Sequence, residues 1–523
     1  MNETVLVDEE PTGETTARPS WRRWTRREDL RALAARHWPF LIVLSLGAGL
    51  RIATQVAYRP ALLYIDSYRY LDLLRTFDPA KAQMLGYDAI LLWPLLKIGN
   101  LFVVATVQHL IGLGLGVAIY ALCRRYGVSR WLAAAAAAPV LLDAYQIQIE
   151  QNIMSETLFE ALLVGVMLLL LWRRRPSNWF LAAAGLLLGG AVCVRIVAMP
   201  LVAPAMIYAC VTGSGIGRRV GRVAIVGITF AVPVLGYMAY YHSSAGVWAL
   251  TPTDARAAYG RAAQIADCDP LHLPPSQELL CPRVPLSERV GIDYYAHIYP
   301  VGSLVEVPHG QTLNDVVSNF ARRVFRNQPL DFARSVANDF VKGFRWDRTD
   351  ARGDVPVDRW HFQTYWPFPH YDPARATSYW GGGPPTVVKP VASFLRGYQL
   401  SIGYTPGPFV AVAFIGGILA GCGVHRSRRS GLRAVCWLPT LSGLAVLLAA
   451  DAFEFSWRYQ LPALVLAPIA GAIGFTAIFR DPQTPCPAIA PSRAGGSARV
   501  AAYEAEDLDV PSGVVEHELH EQG

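Results

Sequence analysis

Long apolar runs separated by short arginine clusters constrain this chain more than any other feature of its sequence. A helix needs about 20 consecutive, mostly apolar residues to cross the hydrocarbon core of a bilayer. Charged residues make up only 17% of the chain, whereas soluble proteins carry about 25%. The pattern predicts an all-α polytopic membrane protein with about ten transmembrane helices. The predicted spans are residues 38–58, 101–122, 131–144, 157–172, 179–194, 196–211, 223–241, 404–424, 435–450 and 459–479.

The arginine clusters predict how these spans are oriented. Arginines precede the first span and recur at 124–125, 173–175, 218–222 and 426–433. Because basic residues are enriched in cytoplasmic loops, both termini are predicted to be cytoplasmic. The same placement accounts for the net charge of +7, so no nucleic-acid partner is predicted. The 43 arginines against 4 lysines suggest a bacterial coding bias, and hence a bacterial plasma membrane.

This topology divides the chain into segments on the two sides of the membrane. The segment 242–401 is long enough to fold as a small domain, and we expect it to be extracytoplasmic and of mixed or irregular structure. The last residues are rich in Pro, Ala, Ser and acids, a composition typical of disorder. The predicted segments are a cytoplasmic basic segment (1–37), a transmembrane core (38–241) with a first outer loop (59–100), the extracytoplasmic segment (242–401), C-terminal transmembrane helices (402–480) and a disordered cytoplasmic tail (481–523).

Two of the eight cysteines fall in the large outer segment. Cys268 and Cys281 lie close in sequence, in a compartment that tolerates oxidation. We predict a disulfide that closes a proline-rich loop. The alternative is two unpaired thiols.

Three arginines lie near the predicted outer ends of spans: Arg51, Arg195 and Arg458. Ionisable residues at membrane depth are costly and commonly serve a site or a partner. A guanidinium fork matches the oxygens of a phosphate, so we predict that these arginines bind an anion of the outer leaflet, most simply a lipid phosphate. Snorkelling of long side chains to the membrane surface is the alternative.

The first outer loop carries an acid beside aromatic residues, in Tyr-Ile-Asp66-Ser-Tyr-Arg-Tyr70. Asp66 and Tyr70 are four residues apart, so they share a face if the segment is helical. Burial at the membrane boundary raises the pKa of a carboxyl group and makes it a better base. Asp66 is therefore a candidate general base. The alternative role is that of a helix N-cap.

A second acidic stretch lies between the third and fourth predicted spans. Ser155 and Glu156 resemble the start of a helix, and we therefore predict Glu150 as the substrate contact. The outer segment 340–380 is dense in aromatic rings. Flat rings stack on other flat partners and on sugars, although an interfacial belt or a small core would use the same residues. No Cys/His metal spacing, phosphate-binding loop or nucleophile elbow is present in the sequence.

This layout resembles the GT-C superfamily of membrane glycosyltransferases, which includes protein O-mannosyltransferases and lipid A aminoarabinose transferases. The matching residues are Arg51, Asp66, Tyr70, Gly86-Tyr87, Arg458-Tyr459 and Pro462.

The resemblance implies an inverting transferase that moves a sugar from a polyprenyl-phosphate donor to an extracytoplasmic glycan, lipid or protein acceptor of the cell envelope, in contact with membrane lipids. No cofactor is certain and no metal ligand is assigned, although a divalent cation is possible. The implied roles are a general base (Asp66), donor-phosphate ligands (Arg51, Arg195, Arg458) and acceptor or sugar contacts (Tyr70, Tyr87, Glu150, Tyr459).

A flippase or transporter for a lipid-linked sugar, without transfer activity, is the alternative function. It predicts charged residues through the full thickness of the membrane, whereas the sequence concentrates them at the outer side, with His109 as the exception. Internal repeats typical of many transporters are not evident.

Overall fold

A computed structural model describes residues 27–81, 83–368 and 371–480. The predicted cytoplasmic tail and most of the predicted basic N-terminal segment lie outside the described residues. Among its described residues, the first half of the chain forms ten helices. They are α1 (Arg27–Ala57), α2 (Ile65–Leu73), α3 (Trp93–Ile98), α4 (Leu101–Arg125), α5 (Arg130–Leu142), α6 (Ala144–Gln151), α7 (Glu156–Leu171), α8 (Asn178–Val194), α9 (Val202–Val211) and α10 (Ile216–Ala245).

The second half continues with eleven helices of very different lengths among the described residues. They are α11 (Asp254–Ile265), α12 (Pro275–Glu278), α13 (Val301–Leu304), α14 (Leu313–Asn327), α15 (Pro329–Lys342), α16 (Pro373–Trp380), α17 (Lys389–Ser401), α18 (Gly407–Cys422), α19 (Ser427–Ser430), α20 (Arg433–Phe453) and α21 (Ala463–Phe479). Short 3₁₀ turns at Ile196–Leu201, Val357–Trp360 and Trp457–Gln460 and π-turns at Asp88–Leu92 and Tyr294–Ile298 connect them.

Five described helices are long and apolar enough to cross a membrane, which supports the predicted class of all-α membrane protein. The number ten is not confirmed, because α8, the stretch Ile196–Val211 and α18 are apolar but shorter. The five candidate spans are Ala34–Ala57, Leu101–Arg125, Ile216–Ala245, Arg433–Phe453 and Trp457–Phe479.

A bend lies at the end of the span predicted for residues 131–144. Helix α5 ends at Leu142, and α6 continues from it at an angle of 45°. The carboxylate of Asp143 accepts a hydrogen bond from the backbone N–H of Tyr145 at 3.0 Å, which is the bond of an N-cap residue. Asp143 therefore starts a new helix, α6, in the stretch that the sequence analysis places between the third and fourth spans.

The segment 242–401, which the sequence predicts to be extracytoplasmic and which we call the outer segment, folds largely as helices with irregular connections. Its apolar core lies between α11 and α14, where Tyr259, Ala262, Val316 and Phe320 are buried. Cys268 and Cys281 form a disulfide with a Cα–Cα separation of 6.4 Å, which confirms the predicted pairing. The expectation of mixed or irregular structure holds for this segment, whose helices are joined by long irregular stretches and whose described residues contribute one strand of two residues.

That strand ties the outer segment to the end of the first helix. Strand β2 (Thr386–Val387) pairs antiparallel with β1 (Tyr58–Arg59), with Tyr58 opposite Val387. The hydroxyl of Tyr58 also donates to the carbonyl of Gln363 at 2.7 Å. The chain leaving α1 is thus fixed against the outer segment, and the turn that follows places α2 at the boundary between the helices and this segment.

Candidate functional site

A cavity of about 770 Å³ lies where α2, the Arg195 break after α8, α11 and the segment after α20 meet. We call it the Asp66 cavity. Its positively charged lining residues outnumber its carboxylates by six to three, so the cavity suits an anion better than a cation. The charged lining residues are Asp66, Arg69, Lys81, Arg195, Arg256, Asp293, Arg359, Glu454 and Arg458.

Asp66 is the second residue of α2, and Tyr64 holds the N-cap position. The backbone N–H of Tyr64 donates to the hydroxyl of Ser67 at 2.9 Å, which fixes the first turn of the helix. The alternative N-cap role for Asp66 is therefore wrong. An acid in the first turn still interacts favourably with the positive end of the helix dipole, and here its side chain is left to line the cavity.

Three donors hold the Asp66 carboxylate. Arg458 Nη1 donates to Oδ2 at 2.7 Å, and Arg69 Nη1 and Gln83 Nε2 donate to Oδ1 at 3.1 and 3.0 Å. A carboxylate can accept about four hydrogen bonds. One acceptor position therefore remains on a carboxylate whose orientation is already set.

The electrostatics of Asp66 differ from the sequence-based expectation. Burial alone raises its pKa, but the charge and hydrogen bond of Arg458, followed by the charges of Arg69 and Arg195, outweigh that effect. The pKa of Asp66 lies below its ordinary value as a result. The prediction of a raised pKa is wrong, and Asp66 is an ionised carboxylate at neutral pH.

Arg195 and Arg458 meet at one carboxylate, that of Glu156. Arg195 Nη1 lies 2.6 Å and Arg458 Nε 3.2 Å from the same oxygen, Oε1. The second oxygen of Glu156 is buried and has no hydrogen-bond partner among the described residues. Two of the three arginines predicted to converge are thus brought together, and Glu156 holds them in place.

Aromatic rings surround this pair of guanidinium groups. The Arg458 guanidinium carbon lies 4.9 Å from the Trp360 ring centre and 4.8 Å from that of Tyr459. The Arg195 guanidinium carbon lies 5.1 Å from the centre of the same Tyr459 ring. Cation–π contacts of this kind hold the planes of the guanidinium groups. The predicted contact residue Tyr459 therefore lines the cavity next to both arginines.

Arg51 and Glu150 form a separate buried ion pair. Arg51 Nε and Nη2 donate to the two carboxylate oxygens of Glu150 at 2.8 and 2.7 Å. The remaining donors of Arg51 bind the backbone carbonyls of Gly47, Val140 and Leu141. Neither residue lines the Asp66 cavity. The predicted roles of Arg51 as a phosphate ligand and of Glu150 as a substrate contact are corrected accordingly.

Glu156 contacts both arginines of the candidate site, whereas the sequence pattern assigned it only to helix initiation. It does begin α7, and both roles hold at once. The signal that could have identified it is an acid in the first turn of a predicted span, at the same predicted outer boundary as Arg195 and Arg458. Glu150 lies only six residues earlier, but α6 carries it into the interior of the helices.

The two predicted tyrosines before the second span have different positions. Tyr70 lines the cavity, and its hydroxyl donates to Ser155 Oγ at 3.0 Å. Tyr87 is fully buried behind Tyr70, with ring centres 5.0 Å apart, and donates to Gln108 Oε1 at 2.8 Å. Tyr87 supports the cavity wall and does not line it, so its predicted sugar contact is corrected.

The aromatic segment 340–380 divides between core and surface. Trp360 and Phe362 are buried, as the small-core alternative predicts, whereas Trp346, Tyr365 and Tyr379 are exposed. Trp360 also lines the cavity beside Arg458.

Three further side chains of the cavity could hold a metal ion, although the sequence predicts no metal ligands. One ligand atom each of Asp293, His297 and Glu454 lies within 4.8 Å of the others. Burial lowers the pKa of His297, and burial and then Asp293 raise the pKa of Glu454 to about 8. Glu454 Oε1 is buried without a hydrogen-bond partner among the described atoms. This donor set of nitrogen and oxygen atoms fits a first-row divalent cation.

No family model matches the chain, and no curated protein matches its sequence.

Proposed function

We propose that this protein is an inverting glycosyltransferase of the membrane, with a polyprenyl-phosphate sugar as donor and an envelope molecule as acceptor. The observation that carries the proposal is the carboxylate of Asp66, ion-paired at 2.7 Å to Arg458 inside a cavity that Arg195 also lines. Candidate spans end or begin beside this cavity at Phe453 and Trp457. A carboxylate base and two arginines at the membrane boundary are what such a transfer requires.

Asp66 is the general base of the proposed reaction. The acceptor hydroxyl occupies the remaining acceptor position of Asp66, attacks the anomeric carbon and transfers its proton to the carboxylate. The bond from that carbon to the phosphate oxygen breaks, and its electron pair stays on the phosphate. A phosphate departs without a proton, so one carboxylate suffices, in contrast to glycoside hydrolysis.

Arg458 and Arg195 stabilise the departing phosphate. The phosphate gains negative charge as the bond to the sugar breaks, and fixed guanidinium groups stabilise that charge without reorganisation. Their interactions with Glu156 and Tyr459 set their orientation in advance. Glu156 acts through the arginines and is a positioning residue. Tyr70 and Tyr459 lie where the sugar or the acceptor would be bound.

The proposal includes a divalent cation, for which Asp293, His297 and Glu454 would be the ligands. Such an ion would supply further positive charge near the phosphate. The proposed location is a bacterial plasma membrane, with both termini cytoplasmic and the Asp66 cavity on the outer side.

The decisive experiment follows sugar transfer in proteoliposomes that contain polyprenyl-phosphate sugars, with release of polyprenyl phosphate as the readout. Asp66→Asn should abolish release, and Arg458→Lys should slow it by about 10²–10³ because the fork geometry is lost. Asp72→Asn is the matched control, since Asp72 is an exposed acid on the same helix.

The result also decides between transfer and transport. If wild-type protein moves the lipid-linked sugar across the bilayer without releasing polyprenyl phosphate, the flippase alternative is correct. Turnover by Asp66→Asn at the wild-type rate would remove Asp66 from the mechanism. Melting temperatures of all variants separate loss of chemistry from loss of folding.

A further inference from the structure

Arginines from four separate stretches of the chain meet at one end of the helices. The stretches are residues 124–130, 173–175, 218–222 and 426–433, and we call the surface that their arginines form the arginine surface. They lie at or beside the ends of α4, α7, α10 and α20. None of the four stretches contains Asp or Glu. The positive charge of the arginine surface is therefore not neutralised by the stretches that form it.

Contacts between the stretches show that they share one surface. Three contacts join residues 172–176 to the other stretches. They are the hydrogen bond from Arg222 Nη1 to the Pro176 carbonyl at 2.9 Å, the hydrogen bond from Arg125 Nε to the Trp172 carbonyl, and the 3.8 Å approach of Arg174 Nη2 to the position of an added Cβ at Gly431. The stretch 173–175 thus lies at the centre of the arginine surface.

The helix α21 ends at the arginine surface. The carbonyl of Phe479, its last residue, accepts a hydrogen bond from Arg426 Nη1 at 3.3 Å. A Cβ at Gly127 would collide with the guanidinium of Arg480, where the described residues end. The chain that follows α21 therefore starts on the arginine surface, whichever side of the membrane this surface faces.

The sequence that follows has the opposite charge. Residues 504–521, which we call the acidic segment, lie outside the described residues and contain no Arg or Lys. Their seven acids are Glu504, Glu506, Asp507, Asp509, Glu516, Glu518 and Glu521. The residues 481–503 can reach at most about 80 Å, which is ample for a return to the surface where they start. A ligand attached in this way acts at an effective concentration of about a millimolar.

The position of α21 favours a segment of the chain over lipid headgroups as the ligand. Anionic headgroups are also attracted to arginines near a membrane. The candidate span Trp457–Phe479 is mostly buried, however, whereas Ile216–Ala245 is mostly not. Because other helices surround α21, its end lies among the helix ends and away from the rim that headgroups contact. The acidic segment is attached at that place.

We propose that the acidic segment binds the arginine surface of its own chain. Exposed arginines there include Arg175, Arg428 and Arg429, and guanidinium groups form charge-assisted hydrogen bonds with carboxylates. A single exposed ion pair contributes little, but the carboxylates of one attached segment act together. This interaction is independent of the Asp66 cavity and of the proposed transfer.

Photocross-linking of the full chain tests the proposal, in phosphatidylcholine nanodiscs that hold one copy each. The photoreactive residue p-benzoylphenylalanine replaces Val510, which lies within the acidic segment. Cross-links should form to peptides that contain 173–175 and 426–433. Neutralisation of four acids should lower their yield about tenfold, because several exposed ion pairs are lost together. The four changes are Glu504→Gln, Glu506→Gln, Asp507→Asn and Asp509→Asn.

Charge reversal on the arginine surface gives the matched comparison. Arg428→Glu combined with Arg429→Glu should lower the cross-link yield by a similar factor. Arg322→Glu combined with Arg334→Glu should leave it unchanged, because these exposed arginines lie on α14 and α15. About 1 M sodium chloride should also lower the yield, since the screening length is then about 3 Å.

Two results would overturn the proposal. One is cross-linking to the arginine surface that is absent, or that neither set of charge changes reduces. The other is cross-linking that forms in phosphatidylcholine and disappears when phosphatidylglycerol replaces part of the lipid. Anionic headgroups would then be the ligand of the arginine surface in a membrane.

Discussion

The ion pair between Arg51 and Glu150 gives the most direct test of the structure. Both side chains are essentially inaccessible, at 2% and 0% exposure, and the guanidinium holds the carboxylate through two hydrogen bonds of 2.7 and 2.8 Å. His109 Nδ1 lies 2.9 Å from the same carboxylate. We therefore expect Glu150→Gln to impair folding, whereas a substrate contact would affect only activity.

The magnitude follows from the burial of the pair. Removal of one partner leaves an uncompensated charge in a low-dielectric interior, which costs about 3–5 kcal/mol. Replacement of both partners by apolar residues of similar volume is often nearly neutral. Glu150→Gln should therefore be much less stable than wild type, and the double variant Arg51→Met, Glu150→Leu should recover a large part of the loss.

Thermal unfolding in detergent, followed by the fraction that remains monodisperse, measures these differences. Glu150→Gln should lower the melting temperature by at least about 5 °C. Glu306→Gln is the control, because Glu306 is exposed. Equal melting of Glu150→Gln and wild type would refute the inferred ion pair. A double variant as unstable as the sum of both single variants would refute the inferred coupling.

Three further predictions concern other parts of the chain. Gly112→Ala should reduce the yield of folded protein, because a Cβ at Gly112 would collide with the Glu150 carboxylate. Gly114→Ala should leave the yield unchanged, because a Cβ at Gly114 meets no atom within 4 Å. Equal yields of the two variants would contradict this prediction. Cys268→Ser should destabilise the outer segment by about 3 kcal/mol through loss of a short closed loop, measured as faster proteolysis within 242–401; unchanged cleavage would count against it. The carboxylate of Asp66 has a lowered folded pKa, so its stabilising effect is complete above the unfolded pKa of about 3.9 and is lost as pH falls through the folded value. The melting difference between wild type and Asp66→Asn should stay constant from about pH 8 to 5 and shrink only in stronger acid; a decline near pH 6 would contradict the assigned shift.

The pairing of Asp66 with Arg458 illustrates how far the sequence leads towards the candidate site. Both are ionisable residues near the ends of predicted spans, so each could be chosen as a candidate site residue without a structure. Their contact joins residues 392 positions apart, and the sign of the pKa shift of Asp66 depends on that contact. Burial by itself predicts the opposite direction. The sequence alone suffices to select Asp66 as the candidate base, whereas the direction of its pKa shift requires the structure.

Glu150 and Glu156 show the same limit for two acids in one short stretch. From residue type and position in the sequence, both acids are equally good candidates for a functional role, because both lie near the predicted outer boundary. The chain between them pairs with Leu62 at Asn152, and α6 and α7 then carry the two carboxylates to different surroundings. Glu150 is held by Arg51 inside the helices, and Glu156 is held by Arg195 at the cavity.

The sequence by itself determined the helical class, the main candidate spans and the disulfide, because the length of an apolar run and the spacing of two cysteines are local properties of the chain. It could not determine the bend at Asp143, the direction in which each acid points or the grouping of Asp293, His297 and Glu454. Only the tertiary structure decided these, since each depends on which helix ends pack together and which charges then share a small, poorly solvated space.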